Sequence, residues 1–520
     1  MKSRKTSFQR VNLSLKDILG KEYINAVCTA RAFLSGEDKN TLQEIASEKV
    51  EFYPKAFQQR LLSLLPNVGK NCVPALKASP RGATTGEFIV HTNTNQAPLS
   101  GLGYYRLGED GRLFLTSKSE HYHVSLGHGF PGYQLVERAR RLGIPNATHN
   151  NTRGFVTRLL EEELTRTAAG IARGDRPALD RLLDAKGKKV LNRVLNLETG
   201  SLAAEAAIKM ILARFYRPQP NSPSPPYQGC IPVIVVIGAD EGGLQANYHG
   251  TTIVAQILRD MWPDLQQGME RGNLMLARGV RANCFEDLVS LFTQYENAPY
   301  KIAGFFLEFV LMNYGAKRLT EAFVKLLFTL CKKHDIPVVV DEIQTCVWSP
   351  ELFMFREYGV QPDIAVVGKG FPGGEYAASR ILFTSALDTL PQFGALVTNG
   401  QEELASLAYL VTIRWAETNA ETTRAVGEYY EERLKEMAPK YPQLIASIEG
   451  RRHLAGIFFH DLAAGKKFVQ HLNAAGLDIS VQTYKEGCPP SALTKLPITA
   501  GYEIVDAVIE RMDEALRASE

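Results

Sequence analysis

Cysteine is scarce in this sequence: seven in 520 residues, at positions 28, 72, 230, 284, 331, 346 and 488, odd in number and scattered. With no CxxC pair and no His–Cys cluster, a disulfide framework and a structural zinc site are both disfavoured. Long apolar runs are missing too. No stretch reaches the roughly 18 uncharged apolar residues that a membrane helix requires, and Met1 to Gly20 carries basic residues without the apolar centre of a signal peptide. These absences predict a chain at work in a reducing cytoplasm, with no membrane partner. An excess of one charge is also lacking. The 59 basic and 56 acidic residues leave a formal net charge of +3, too small and too evenly spread for a nucleic-acid surface. What remains, 45% hydrophobic and 22% charged, is ordinary for a folded protein. The length leaves room for about two to four domains.

Along the chain, Ser14 to about Leu65 has helical spacing (Leu42, Ile45, Val50, Phe52) with a polar break at Ser35 to Lys39, which predicts a helical N-terminal extension over about residues 1–80. From Glu87 to Leu115 the pattern turns to short strands, including a hairpin around Gly108 to Gly111. Arg158 to Arg166 reads as a solvated helix face, and Arg217 to Gln228, with five prolines, as a stiff loop. No internal repeat is visible. From Ile231 to Thr384 the chain alternates strands and helices. The runs at 231–237, 303–307, 336–340, 364–367 and 381–383 are too continuously apolar for a sheet with one wet face. Between two of them Leu319, Phe323, Leu326, Leu327 and Leu330 mark one helix face, ending on Lys332 and Lys333, so a βαβ crossover is expected. Helices at 404–417 and 421–437 lead into a smaller α+β segment, with a boundary near Asn419.

Two positions stand out chemically. Asp341 follows the apolar run at 336–340, at the carboxyl end of a buried parallel strand, where open α/β sheets bind ligands. A run of this kind followed by Asp-Glu also resembles the magnesium strand of a nucleotide hydrolase, but the required GxxxxGK[ST] loop is absent. Lys369 lies 28 residues further on, in the glycine-rich turn Gly368-Lys369-Gly370-Phe371-Pro372-Gly373-Gly374 after the next strand. If both reach one sheet edge, an amine and a carboxylate face a single cavity. That is the requirement of pyridoxal phosphate: a lysine for the Schiff base and an acid to keep the pyridine nitrogen protonated. The plainer alternative for Lys369 is a solvated loop lysine.

The segments Asp341-Glu342-Ile343-Gln344-Thr345, Tyr358-Gly359-Val360-Gln361-Pro362-Asp363-Ile364 and Gly368-Lys369-Gly370 resemble the signature of the class III (subgroup II, ornithine/ω-type) aminotransferases of pyridoxal-phosphate fold type I. The likeness extends to Leu126-Gly127-His128-Gly129-Phe130-Pro131, Thr199 to Ala207, Tyr248-His249-Gly250, Glu308-Phe309-Val310 and Thr398-Asn399-Gly400, spanning roughly Leu113 to Glu520. The resemblance implies roles residue by residue. Gly200 and Ser201 would open a helix starting about Leu202 and bind the phosphate, where the alternative is an N-cap serine. Tyr248 would stack on the cofactor ring, or else be a core tyrosine. Gln344 would bond the ring hydroxyl, or else satisfy loop backbone. Glu308 resembles the family's active-site glutamate, with a surface salt bridge as alternative. Thr398 resembles the threonine that reaches the phosphate of the neighbouring subunit, which implies a homodimer. His249 joins the cofactor-facing set, although it and His128 are more often structural than proton-transferring in such settings.

The resemblance implies a large, mostly parallel seven-stranded α/β domain (151–419), a smaller α+β domain built from 81–150 and 420–520, and the helical extension at 1–80. The expected activity is transfer of an amino group from a small-molecule donor to a carbonyl acceptor, with Lys369 and Asp341 catalytic. Another reaction on the same cofactor, such as an aminomutase, racemase or decarboxylase reaction, and a non-catalytic or nucleotide-binding protein, stay open beside it. Some positions depart from the family pattern: Leu202 and Ala204 replace an acid and an asparagine, and Phe309 replaces a proline. No arginine stands between Arg452 and Arg511, where typical members clamp a substrate carboxylate. The segment Cys488 to Thr499 offers only Lys495, a point charge without a planar fork, which points to an unusual donor or acceptor.

Overall fold

The computed structural model describes residues 5–92, 94–147, 151–186, 189–238, 247, 249–482 and 489–520. Its centre is a seven-stranded sheet of β1 (Leu191–Leu197), β2 (Ile231–Ile237), β3 (Leu276–Val280), β4 (Tyr300–Leu307), β5 (Val338–Asp341), β6 (Ile364–Val367) and β7 (Ser379–Thr384). The strand order is β1-β7-β6-β5-β4-β2-β3, parallel except for β7, which is antiparallel to both neighbours. This is the large, mostly parallel seven-stranded α/β sheet that the resemblance implied.

Side chains alternate between two cores, as the period of a strand requires. Val233, Val235, Phe305, Val340 and Ala365 face one cluster; Ile234, Val236, Phe306, Val339 and Val366 face the other. The second cluster is covered by α1 (Gly200–Leu212), whose Ala203, Ala206 and Ala207 keep the helix close to the sheet. Gly304 on β4 makes room for this helix, because a Cβ there would lie 2.5 Å from the Ile211 Cδ1. The predicted crossover is α2 (Glu321–Lys333), which joins β4 to β5 with a Thr320 cap and Lys332 and Lys333 in its last turn.

A four-stranded antiparallel sheet (Ile445–Arg451, Leu454–Phe459, Ser491–Lys495, Val481–Gln482) and a three-stranded one (Pro98–Leu102, Tyr105–Gly108, Leu113–Leu115) lie outside the large sheet. A bridge between Leu115 and Leu477 ties the two. The N-terminal helices Leu15–Leu19, Lys21–Ser35, Lys39–Ser47 and Lys55–Leu64 are stitched to the far end of the chain. Tyr53 donates to the Thr499 carbonyl, the Tyr502 amide donates to Thr6, and Phe8 packs on Trp415.

Two local expectations fail. Gly86–His91, placed among strands, is a helix whose N-terminus is capped by the Thr85 hydroxyl. Arg158 to Arg166 is not a solvated face, for Glu163 and Arg166 are buried in the helix Phe155–Ala168. Arg166 binds Glu163 through two nitrogens at 2.8 and 3.0 Å and reaches Glu417 at 2.5 Å. Glu417 lies on α3 (Glu403–Thr418), and at the other end of α3 Glu403 accepts the Val156 and Thr157 amides that open the buried helix. Those partners stand some 250 residues away, so the charge pattern of one segment could not reveal them.

Candidate active site

Three adjacent strands end at one edge, and each delivers a functional side chain. The register sets Val340 against Leu307 and Asp341 against Val366. Glu308, one past Leu307, therefore comes level with Asp341, and Lys369 lies three residues beyond the partner of Asp341.

The acids are held from behind. Asp341 pairs through Oδ2 with His249 Nδ1 at 3.0 Å and accepts the Ile343 amide on Oδ1 at 3.1 Å. Glu308 accepts Asn247 Nδ2 at 3.0 Å and Gln344 Nε2 at 3.3 Å. All five residues other than Ile343 are buried polar groups of one edge, which rules out the surface salt bridge for Glu308 and the loop-backbone role for the Gln344 amide nitrogen. Four further polar atoms there are buried without a partner among the described residues: Gln344 Oε1, His249 Nε2, Asn247 Oδ1 and Ser379 Oγ. An orphaned buried polar atom costs about 1–3 kcal/mol, so four at one sheet edge mark a cavity built for a polar ligand.

Lys369 is half-buried with a left-handed φ of +34°. Desolvation pulls its amine below the ordinary lysine range, and the charges of Glu308 and Asp341 oppose that pull. Gly368 lets the chain turn tightly, since a Cβ there would come within 2.8 Å of Ile343 and 3.2 Å of Ser379.

Opposite the lysine, Ser119, Glu120, His121 and Tyr122 all have φ between +48° and +78°. Four consecutive non-glycine residues in this region are strained, at about 1–2 kcal/mol each. The turn survives because its bonds over-determine it: Tyr122 N to Lys118 O at 2.7 Å, His123 N to Ser119 O at 3.1 Å, and the Ser119 hydroxyl to the Lys495 carbonyl. It lays the Tyr122 ring 5.4 Å from Lys369 Nζ and 4.8 Å from Lys495 Nζ. His121 and His123 flank it, and desolvation in the cleft followed by the Lys369 charge holds both imidazoles below their ordinary value.

The start of α1 lies at the same edge. Its N-cap is Thr199, whose hydroxyl accepts the Leu202 amide, so the helix begins at Gly200 rather than near Leu202, and Ser201 is not the cap. The Ser201 hydroxyl instead accepts the Thr251 amide at 3.0 Å. A 13-residue helix with its first amides at the cleft suits a phosphate dianion.

Thus Lys369, Asp341, Glu308, Gln344, His249, Gly200 and Ser201 converge on one edge. Thr398 does not join them within the chain; it is exposed, in a turn before α3. Tyr248 lies outside the described residues. Sequence reasoning missed Asn247, Ser379 and Tyr122. Only Asn247 had a signal, its closeness to the Tyr-His-Gly motif.

Comparison with known proteins agrees with this geometry. The Aminotransferase class-III family profile matches residues 177–509. The diaminobutyrate–2-oxoglutarate transaminase of Oceanobacillus iheyensis is 25% identical over 218 residues, 40% of this chain and 50% of that protein, so the match spans about half of that relative's length. The ornithine aminotransferase of Bordetella pertussis is 24% identical over 439 residues, 81% of this chain and 94% of that one. Among solved structures, the PMP-bound aminotransferase from Vibrio fluvialis superposes with a TM-score of 0.65 at 17% identity, covering 85% of this chain and 96% of that one. Toxoplasma gondii ornithine aminotransferase gives 0.62 at 18% identity, covering 84% and 96%. The structural likenesses establish the fold, and the profile match establishes the family: this chain belongs to the class-III aminotransferases.

Proposed function

We propose that this enzyme moves an amino group from an amine or amino acid to a keto acid or aldehyde, using pyridoxal 5'-phosphate. The observation that carries the reading is the placement of Lys369, Asp341 and Glu308 at the ends of adjacent parallel strands, beside a cluster of unpartnered polar atoms. The cavity fits the cofactor. Gln344 Oε1 is a free acceptor for a ring hydroxyl, the α1 amides suit the phosphate, and Asp341 suits the ring nitrogen. When bound, the cofactor supplies an aldehyde and an electron sink for carbanion charge.

The chain's own groups supply the rest. Asp341, fixed by His249 and the Ile343 amide, keeps one orientation toward the cavity. Lys369, in its desolvated setting, favours the neutral amine, which can take a proton at Nζ from the substrate carbon and return it. Glu308, anchored by Asn247 and Gln344, keeps the Gln344 amide turned so that its oxygen stays available. The covered strands behind the site exclude water from it.

Diaminobutyrate, 2-oxoglutarate and ornithine, named for the relatives, all carry a carboxylate. Here no arginine stands between Arg452 and Arg511, and Lys495, which donates to the Gln344 carbonyl, has no planar fork. We therefore assign a donor or acceptor whose recognition does not depend on an arginine fork. We also assign a homodimer in which the exposed Thr398 serves the neighbouring site, a small domain of 81–150 with 420–520 beside the large domain of 151–419, and a place in the reducing cytoplasm. Buried free thiols at Cys28, Cys331 and Cys346 support the last, and no helix of the described residues is long and apolar enough to cross a membrane.

Purified protein should be yellow, bleach on borohydride and carry the reduced adduct on the Lys369 peptide, while Lys369→Ala is colourless and inactive with every amine and carbonyl pair that the wild type turns over. A colourless wild type, or an active Lys369→Ala, defeats the proposal. Mixing Lys369→Ala with Thr398→Arg chains should restore activity if the dimer assignment is right, because one site of each hybrid is then intact.

A further inference from the structure

A second cavity lies at the amino ends of β5 and β6, the sheet edge opposite the active site. Lys325, Phe328, Thr329 and Lys332 of α2 form one wall, Ile336 and Val338 the floor, and the loop 359–363 the other wall, around about 420 Å³. Small-molecule sites span about 300–1,000 Å³, so the volume is sufficient for one.

The walls are fixed by local rules. Positions 325, 328, 329 and 332 fall on one face of α2 because the helical period brings i, i+3, i+4 and i+7 together. The facing loop is clamped to the strand: the Asp363 amide donates to the Val338 carbonyl at 3.0 Å, and Asp363 Oδ2 accepts the Val338 amide at 3.0 Å.

The lining is apolar below and cationic above. Cys331, Ile336 and Val338 are buried, and Phe328 and Val360 are half-buried against the same core. Cys331 adds no negative charge, since burial pushes its thiol up. Among the described lining residues Lys189, Lys325 and Lys332 share a single carboxylate, Asp363, with which Lys189 already pairs at 3.4 Å. Lys325 and Lys332 have no carboxylate partner among the described residues, and Glu321, one turn before Lys325, is engaged by Arg318 at 3.4 Å. Lys332 also serves the last turn of α2, where a cation complements the helix dipole. Lys325 stands seven residues earlier and has no such role. Two unpaired cations above an apolar floor complement a ligand with an apolar body and an anionic end.

We propose that this cavity is a binding site for a small amphipathic anion, an aryl or branched-alkyl carboxylate or sulfonate, whose apolar body rests on Phe328, Ile336 and Val338 and whose anionic group lies between Lys325 and Lys332. The site is separate from the amino-transfer cleft and stands whether or not that reading holds.

The test uses two fluorescent probes on the full-length chain with excess pyridoxal 5'-phosphate: 8-anilinonaphthalene-1-sulfonate, and N-phenyl-1-naphthylamine, which has the same ring system without the sulfonate. Lys325→Gln/Lys332→Gln should weaken the sulfonate about tenfold, the worth of two exposed ion pairs, and leave the neutral probe unchanged. Lys333→Gln, on the same helix but outside the lining, should alter neither. Thr329→Trp, which fills the cavity, should abolish binding of both. All four substituted positions are exposed, so the fold tolerates the changes. Wild type that binds neither probe overturns the proposal, as does unchanged sulfonate binding in Thr329→Trp or an equal loss in Lys333→Gln. Equal effects of Lys325→Gln/Lys332→Gln on the two probes overturn it too, because the lysines would then only cover the floor with their stems.

Discussion

Gly250 offers the sharpest check on how the start of α1, the proposed phosphate end of the site, is built. Its φ is +94°, and a Cβ there would meet Ser201 Cα at 2.8 Å and Ser201 Oγ at 3.3 Å. Gly250→Ala meets two costs: about 1–2 kcal/mol for a side chain in the left-handed region, and about 1–3 kcal/mol for overpacking. The second cannot be relieved by a side-chain rotation, because the nearest atom is helix backbone. Gly229→Ala is the control, with a φ of +90° and nothing within 4 Å of its Cβ, so it meets the first cost alone. Thermal melts of the two variants should therefore differ by an amount equivalent to about 1–3 kcal/mol, Gly250→Ala being the less stable. If the displaced part is the first turn of α1, amide donors to the phosphate are lost as well. Hydrogen bonds to a charged group are worth about 1.5–3 kcal/mol each, so the dissociation constant for pyridoxal phosphate, followed by absorbance titration, should rise at least about tenfold, and Gly229→Ala should leave it unchanged. Equal melts and equal affinities would refute the packing of residues 250–251 on the start of α1.

Glu357 accepts both Arg452 at 2.6 Å and the Ser349 hydroxyl at 2.6 Å; burial works to raise its carboxyl, and Ser349, Arg452 and Arg451 outweigh burial and hold it below the ordinary value. Its stabilisation is thus complete above the unfolded carboxylate value near about 4.3 and is lost as pH falls through the depressed folded value. Glu357→Gln should flatten that acid-side slope in urea melts and cost about 3 kcal/mol at pH 7 by leaving buried Arg452 only the longer pairing with Glu428 at 3.6 Å; a slope unchanged from wild type would count against the ion pair. At His121, φ +59°, His121→Gly should melt higher than His121→Ala by the equivalent of about 1 kcal/mol, reversing the usual order of glycine and alanine. The ordinary order there would mean that the turn is not left-handed.

The parts of the fold that show in the sequence are those whose environment is uniform. Within β2, β4, β5, β6 and β7 the central stretches are covered on both faces and read as apolar runs, although β4 also carries Lys301 and β7 the buried Arg380. β1 and β3 lie at the two edges of the sheet, where Arg193 and Arg278 stand partly exposed within the strands, so neither presents such a run. The carboxylate and amine of the site were readable because each lies a residue or two past an apolar run, and the parallel pairing of those runs brings both to one sheet edge. The facing wall obeys no such local rule. Tyr122 and Lys495 meet because residue 115 bridges to residue 477 and the Lys495 backbone bonds Ser117 and Ser119. Neither the strain of the turn nor the burial of the lysine has a local sequence signature. A lysine among apolar residues near the end of a chain reads as a surface charge until the two rings that hold it are in place, one from the turn before the Leu-Gly-His motif and one, Trp348, from seven residues past Asp341. The wall facing the reactive amine therefore depends on contacts between segments hundreds of residues apart, and the residues that shape it carry no joint signature along the chain.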